Sequence, residues 1–186
     1  MKKLSLFSGI SFLILAIFIM PKTNIDASEL SKVTINCRYQ QSSARSIYQM
    51  INDFRTGNDS WYLSEDNSKK IYVDSTPLYY DANLEKIAMQ RAVELAVSYS
   101  HTRPNGTNWY TVYSDFNMSY SYACENVARG FNNAPAVHYA FREDSASYPG
   151  QGHRRNMLNS HINAVGIAHV VYNGVDYWAE EFASIK

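Results

Sequence analysis

An uncharged apolar segment near the N-terminus constrains this chain most, because it removes the first residues from the fold. Two lysines precede the segment, which runs from Leu4 to Met20, and Ala27 offers a small-residue cleavage site. This is the layout of a secretory signal peptide. The predicted organisation is a signal peptide over residues 1–27, an N-terminal arm over 28–42 and one folded domain over 43–186.

The length of the apolar segment leaves two interpretations open. The segment is at the lower limit of what spans a bilayer, so an uncleaved N-terminal membrane anchor is the alternative to a signal peptide. Both interpretations place the folded domain outside the cytoplasm, and no second apolar segment of this length follows in the sequence. We therefore predict a secreted or extracellular protein with no membrane span in its mature part.

The composition of the 186 residues suits one globular domain and excludes one class of partner. Hydrophobic residues make up 46% and charged residues 18%, which is ordinary for a chain that buries a core. Lys and Arg together number 17, as do Asp and Glu, so the formal net charge is zero. A nucleic-acid-binding protein carries a basic surplus, so nucleic acid is not an expected partner. We expect a monomer.

The two cysteines, Cys37 and Cys124, are interpreted in the light of the predicted export. An isolated pair in an oxidising compartment is expected to form a disulfide. The long loop that this bond would close corresponds to about 4 kcal/mol of stability in the entropic model. The alternative is two separate buried thiols.

Apolar residues at helical spacing predict three main helices. Ser42 or Ser43 caps the first and Gly57 ends it, Asp81 caps the second, which runs out before His101, and Asn133 with Pro135 opens the third. Residues 58–70 and 102–121 are polar and are predicted as loops, and a short helical turn is expected over 156–158.

The C-terminal segment predicts a β-hairpin. Val165–Tyr172 and Val175–Ala183 are apolar and β-branched, and Asn173-Gly174 between them is the strongest short hairpin pattern, because both residues tolerate positive φ. Helices packed on both faces of a small antiparallel sheet would bury all the apolar faces. The predicted fold class is therefore α+β.

Standard catalytic motifs are absent from the sequence, which contains no Gly-x-Ser-x-Gly, no His-Glu-x-x-His and no phosphate loop. What remains is a set of histidines and acids near the ends of elements: His101, Glu125, Glu143 and His153. Two imidazoles and two carboxylates can bind a divalent metal, or pair a general base with an orienting acid. Residue types alone also fit structural roles, such as a histidine at a helix C-terminus. Arg154 and Arg155, which follow His153, are expected to be surface residues, and the alternative is that they hold a substrate.

Several short strings follow one another in an order that carries more information than their residue types. They are residues 100–106, 125–128, 152–159 and 164–168, followed by Tyr177-Trp178. Together they resemble the CAP superfamily (cysteine-rich secretory proteins, antigen 5 and plant pathogenesis-related 1), specifically its secreted bacterial branch. The resemblance covers about residues 43–184.

The resemblance implies a three-layer α-β-α sandwich with a small antiparallel central sheet and an open cleft. Two histidines and two glutamates line that cleft in the family, and the histidines can hold zinc or another divalent ion. His101 and His153 match the two histidines, Glu125 matches the first glutamate and Glu143 the second. Asn126, beside Glu125, belongs to the same cleft segment.

The sequence departs from the family pattern at two residues, Cys124 and Ala140, and in a longer segment over 145–152, and one register alternative stays open. Cys124 stands where the family has a glycine, which would put the predicted disulfide beside the cleft. Ala140 stands where an aromatic residue is expected, although Phe141 is adjacent. Asp144 takes the role of Glu143 if the register shifts by one residue.

Three functions are compatible with these residues. The first is an extracellular binding module that presents its cleft to a lipid, a wall glycan or a partner protein, as the resemblance implies. The second is a metal-assisted hydrolase in which His101 and His153 hold the ion and Glu125 or Glu143 activates water. The third is an adhesive surface protein, which gives the His/Glu set no role. The family has no shared catalytic activity, so the sequence leaves the question of an enzyme open.

Overall fold

The computed structural model describes residues 18–20 and 31–186, with side chains from residue 34 onward. The predicted signal peptide and its cleavage site lie almost wholly outside these residues. In the part of the chain that is described, no helix is both long enough and apolar enough to cross a membrane.

Five helices and nine strands make up the described chain. The helices are α1 (Gln41–Thr56), α2 (Ala82–Val97), α3 (Val112–Asp115), α4 (Ala134–Arg142) and α5 (Gly152–Leu158). The strands are β1 (Phe18–Met20), β2 (Ser31–Val33), β3 (Arg38–Tyr39), β4 (Trp61–Leu63), β5 (Lys70–Tyr72), β6 (Tyr79–Tyr80), β7 (Tyr122–Arg129), β8 (Ala164–Tyr172) and β9 (Val175–Ser184). Short 3₁₀ turns occupy Trp109–Thr111 and Tyr148–Gly150.

The central sheet has the strand order β3-β8-β9-β7, and all of these neighbours are antiparallel. The short strand β6 pairs in parallel with β8. Two further pairs, β1–β2 and β4–β5, form separate two-stranded ribbons. The predicted hairpin is confirmed: β8 and β9 join through Asn173 and Gly174, whose φ angles are 49° and 77°.

Helices cover both faces of the sheet, which confirms the three-layer prediction. On one face α2 packs across β8 and β9. On the other face α1, α4 and α5 enclose a core that includes Ile47, Phe141, Met157 and Trp178. This arrangement leaves β7, at the edge of the central sheet, between the two helical layers.

A close approach between α2 and the sheet depends on Gly166 in β8. A Cβ atom at this position would lie 2.0 Å from the carbonyl carbon of Leu84 and 2.2 Å from the backbone nitrogen of Glu85. Both atoms belong to the helix backbone, which cannot rotate away as a side chain can. Glycine is therefore the residue that lets the first turn of α2 rest on the strand.

The local chemistry of the helices largely follows the sequence expectations. The Asp81 carboxylate accepts hydrogen bonds from the backbone N–H groups of Asn83 and Leu84, both at 2.8 Å, and so caps α2. Asn133 caps α4 in the same way through Ala136. The predicted helical turn over 156–158 is longer than expected, since α5 begins at Gly152.

Two predicted loops contain regular structure. Residues 58–70 include β4, and residues 102–121 include α3, which buries Val112 and Tyr113. The segment around Glu125 is a strand rather than a loop, because β7 pairs with β9 along its whole length.

The structure does not show the predicted Cys37–Cys124 disulfide. Both thiols are free. Cys124 points from β7 into the core beneath α1, α4 and α5, whereas Cys37 packs against the residues beneath α2. The central sheet separates the two sulfur atoms, so the alternative of two separate thiols holds.

Candidate functional site

The first functional pair joins the end of α2 to β7. The Nδ1 atom of His101 lies 2.6 Å from Oε1 of Glu125. The histidine side chain is 56% exposed, while the Glu125 side chain has no exposure. The imidazole therefore stands at the surface and its carboxylate partner lies beneath it.

Arg91 of α2 fixes Glu125 from below. Its Nε atom donates to Oε2 of Glu125 at 2.6 Å, and Nη2 donates to the carbonyl oxygen of Ser100, directly before His101, at 3.0 Å. Burial opposes ionisation of Glu125, but hydrogen bonds from His101 and Arg91 outweigh it and hold its pKa below the usual value. Glu125 is thus an ionised acceptor, and the proton of the His101–Glu125 bond resides on Nδ1.

A wider buried network supports Arg91. Glu94 accepts from Arg91 at 2.6 Å and from Arg103 at 2.7 Å, and Arg103 also reaches Asp115 at 2.7 Å. Arg91 and Glu94 have no side-chain exposure. The loop after His101 is therefore anchored to α2 by charge-assisted hydrogen bonds.

A second carboxyl lies against Glu125. Glu181 of β9 is its direct cross-strand partner, is fully buried, and accepts a hydrogen bond from the Tyr113 hydroxyl at 3.1 Å. Burial and then the adjacent Glu125 charge raise the pKa of Glu181 well above its usual value. Burial beside the Glu125 charge therefore favours the protonated form of Glu181.

The second functional pair joins α4 to α5. The Nδ1 atom of His153 lies 2.6 Å from Oε1 of Glu143, and the other carboxylate oxygen accepts the backbone N–H groups of His153 and Arg154. Glu143 ends α4 in the left-handed conformation, with φ 48° and ψ 39°. That backbone turns its side chain towards the N-terminus of α5, where a negative charge is favourable. The Phe141 ring packs on His153, with 4.9 Å between ring centroids.

The structure decides between Glu143 and Asp144 as the partner of His153. Asp144 pairs instead with Nη1 of Arg154 at 2.6 Å. The prediction that Arg154 is a surface residue is wrong, since its side chain is fully buried and also donates to the carbonyl oxygens of Trp61, Arg142 and Asp59. Arg154 therefore holds α5 against the β4 hairpin.

Two asparagines bring the pairs into one region. Asn126 donates through Nδ2 to the carbonyl oxygen of His153 at 3.3 Å, and Asn156 donates to the carbonyl oxygen of Glu125 at 3.1 Å. The two side chains also bond to each other at 2.9 Å. Helix α5, which carries His153, is thereby tied to the strand that carries Glu125.

Both histidines present the same chemistry outwards. Each uses Nδ1 for its glutamate, and neither Nε2 atom has a hydrogen-bond partner among the described residues. A histidine whose Nδ1–H is held by a carboxylate has its Nε2 lone pair oriented for a metal ion, and the carboxylate increases its basicity. Glu125 and Glu143 therefore act here as orienting partners of the two imidazoles.

A divalent ion at this site would depend on the two histidines alone. Within residues 18–20 and 31–186, no three His, Cys, Asp or Glu side chains are placed to hold a metal together. Zinc sites that keep open positions commonly have three protein ligands. An ion bound at His101 and His153 would have two, with its other positions open to water or to a ligand.

Sequence reasoning missed Arg91, the residue that holds Glu125. A pattern for it exists: Arg91 lies three, four and seven residues after Ala88, Ile87 and Leu84, on the apolar face of α2. An arginine within such a face indicates a buried acidic partner. Glu181 and Asn156 were missed as well, because their partners lie on other elements.

The family follows from a comparison with known proteins. The model of the cysteine-rich secretory protein (CAP) family matches residues 48–183, most of the chain. This chain belongs to the CAP family. Among sequences, the uncharacterized protein YkwD of Bacillus subtilis (strain 168) is 26% identical over 108 residues, which cover 57% of this chain and 39% of YkwD.

Solved CAP structures share the fold. An extracellular protein containing an SCP domain from Bacillus anthracis str. Ames has a TM-score of 0.58 at 17% identity, over 77% of this chain and 41% of that chain. The structure of NaASP2 with Zn²⁺ has a TM-score of 0.53 at 16% identity, over 77% of this chain and 80% of that chain. This CAP chain thus spans about two fifths of the length of YkwD and of the B. anthracis protein.

Proposed function

We propose that this protein is an extracellular CAP binding module whose cleft holds a divalent metal ion, zinc in the first instance, through Nε2 of His101 and His153. The module presents this cleft to a lipid, a wall glycan or a partner protein. The observation that carries the proposal is the pair of imidazoles whose Nδ1 atoms are fixed by carboxylates, while their Nε2 atoms have no hydrogen-bond partner among the described residues.

Two comparisons support the proposal. The B. anthracis neighbour is described as extracellular, which agrees with export of this chain. NaASP2, which has the same fold, was solved with Zn²⁺. When bound, the ion would supply a positive charge that an oxygen-bearing ligand can coordinate.

The chain's own residues favour binding over hydrolysis. A metal-assisted hydrolase needs a carboxylate that is free to activate water. Glu125 has no exposure, and its oxygens accept from His101 and Arg91. Both oxygens of Glu143 are likewise occupied, by His153 and by the start of α5. These carboxylates orient the histidines and are poorly placed to exchange protons with a substrate.

Zinc titration by calorimetry tests the proposal. The wild-type protein should bind one zinc ion, and His101→Ala and His153→Ala should each weaken binding at least tenfold. Glu143→Gln keeps the hydrogen bond to Nδ1 but removes the charge, so a smaller loss than in either histidine variant is expected. Asp74→Asn, at an exposed carboxylate outside the pairs, is the control. Equal zinc affinity in the wild type and the double histidine variant would refute the metal site.

A peptide-library assay separates the two functions. The binding module predicts no metal-dependent cleavage. Cleavage that requires zinc and disappears in Glu125→Gln, with the fold intact, would replace the proposed function with the hydrolase.

A further inference from the structure

A cavity of about 280 Å³ lies beside the C-terminal half of α5, away from both His–Glu pairs. Two aromatic rings, one guanidinium and several hydrogen-bonding side chains line it: Tyr62, Tyr148, Arg155, Asn159, Ser160 and His161. A cavity of this size has room for one sugar unit and is at the lower limit for small-molecule sites.

Arg155 gives the cavity a fixed positive charge. Its guanidinium carbon lies 4.1 Å from the ring centroid of Tyr148, and Nε donates to the carbonyl oxygen of Gln151 at 3.2 Å. Among the described residues Arg155 has no salt-bridge partner, whereas the adjacent Arg154 is paired with Asp144. The Nη atoms of Arg155 therefore remain available in a side chain that is already held in place.

The lining of the cavity leaves this charge unneutralised. No carboxylate lines it. Two other cavities of the protein differ in this respect: one of about 220 Å³ contains Asp53 and Asp59, and one of about 680 Å³ contains Asp81. A guanidinium that faces a cavity without acids favours an anionic ligand, and carboxylate and phosphate match its fork of donors.

Val73 and Leu158 add two aliphatic side chains to the lining, and the polar and aromatic residues favour a sugar over a lipid chain. Tyr62 and Tyr148 are half-buried, and each offers an apolar ring face with a polar tip. Asn159 and Ser160 add amide and hydroxyl groups, which can both donate and accept hydrogen bonds. A sugar ring presents apolar C–H faces with hydroxyl groups at its rim, and this lining matches both.

We propose that this cavity binds a saccharide unit that carries a carboxylate or a phosphate, with Arg155 holding the anion and Tyr62 packing on the ring. The inference deepens the binding-module part of the proposed function by naming a glycan as the partner. It is independent of the metal ion, because no lining residue belongs to the His–Glu pairs.

Chemical-shift titration of the ¹⁵N-labelled protein with single sugars tests the proposal. Glucuronic acid should shift amide signals of α5 and β4 in a saturable manner, and neutral glucose should bind at least tenfold more weakly. Glucose 1-phosphate is the parallel probe for phosphate, and the tighter of the two acidic sugars identifies the preferred anion. Acetate and inorganic phosphate carry the charge without the ring. If they bind as tightly as the acidic sugars, the site takes an adventitious ion only and the proposal fails.

Matched arginine variants locate the binding. Arg155→Gln should reduce affinity for glucuronic acid at least tenfold, and Tyr62→Ala should weaken glucuronic acid but not acetate. Arg129→Gln is the control, because Arg129 also lies over a tyrosine ring, that of Tyr99 at 5.3 Å, but outside the cavity. Undiminished binding by Arg155→Gln, or equal loss in Arg129→Gln, would overturn the assignment.

Repeating the titration with EDTA and with zinc distinguishes this proposal from the metal site. Binding of glucuronic acid should be the same in both. Binding of the acidic sugar without binding of zinc would support the cavity proposal and refute the metal site. Binding of zinc without binding of the acidic sugar would support the metal site and refute the cavity proposal.

Discussion

At the scale of single residues, the buried charges beneath His101 depend on one another. Arg91 lies between Glu94 and Glu125, and all three side chains are fully buried. Removing one member of such a group leaves the others charged in a medium of low polarity, which is far more costly than losing a surface pair.

Arg91→Met should therefore destabilise the protein by about 3–5 kcal/mol. Arg45→Gln is the matched control: Arg45 also bonds a glutamate, Glu85, but its side chain is 60% exposed, so about 1 kcal/mol or less is expected. Urea unfolding monitored by circular dichroism measures both. If both variants lose a similarly small free energy of unfolding, the Arg91 network stabilises the protein no more than an exposed ion pair does.

Glu180 makes stability depend on pH. The side chain is fully buried, its only hydrogen-bond donor in the described chain is Asn126, and burial raises its pKa to about 8. The folded state thus keeps a proton that the unfolded chain releases near its usual pKa of 4.5. Glu180 therefore contributes to the free energy of unfolding in full below pH 4.5. This contribution is lost as pH rises from about 4.5 to 8.

Glu180→Gln should remove this dependence and stabilise the protein at pH 8 by an amount on the order of a few kcal/mol relative to its effect at pH 4.5. Unfolding free energies at the two pH values give the difference. Glu65→Gln, at an exposed carboxyl, should show no such change. A pH profile that is the same in Glu180→Gln and wild type would contradict the assignment.

At the scale of elements, the contact between α2 and β8 is the least tolerant of change. Gly166→Ala would place a methyl group within the backbone of Leu84 and Glu85, so either the helix or the strand has to move. We expect a loss of at least about 3 kcal/mol in unfolding free energy. Gly152→Ala meets nothing within 4 Å at the start of α5 and should change stability by less than about 0.5 kcal/mol.

The elements that the sequence predicts are those with local chemistry. Asp81 caps α2 and Asn173-Gly174 turns the hairpin through interactions within a few residues, so both are visible in the sequence. Strand β7 is not visible in this way. Its Glu125 and Asn126 are polar yet buried, because their partners come from α2, α5 and β9, and the alternation of polar and apolar residues is lost.

The candidate site also has a part that the sequence predicts and a part that it does not. The order of the short strings singles out four residues, and the structure brings His101 to Glu125 and His153 to Glu143. The resemblance favours Glu143 over Asp144 as the partner of His153 and leaves Asp144 open. The structure decides for Glu143 through a left-handed backbone that glutamate rarely adopts. The structure also places Cys37 and Cys124 on opposite faces of the sheet. The sequence does not reveal this, because the face on which Cys124 lies is not apparent without β7 as a strand.

At the scale of the whole molecule, the central sheet separates two thiols of different accessibility. Cys37 is half-buried and Cys124 is buried, and burial raises the pKa of both. Iodoacetamide without reductant should modify Cys37 first, and Cys124 only after unfolding in denaturant. Mass spectrometry should count two modified cysteines in denaturant. None would mean that a disulfide forms after all.

The fixed orientation of the His101 and His153 rings also determines how the protein binds a ligand. Each ring has already lost its rotational freedom to a carboxylate that is itself fixed, by Arg91 in one case and by the start of α5 in the other. Immobilising a free side chain on binding opposes affinity by roughly 0.5–1.5 kcal/mol. That loss is incurred during folding here. The bound and free forms should therefore superpose closely at the cleft, and the bound state should gain little order.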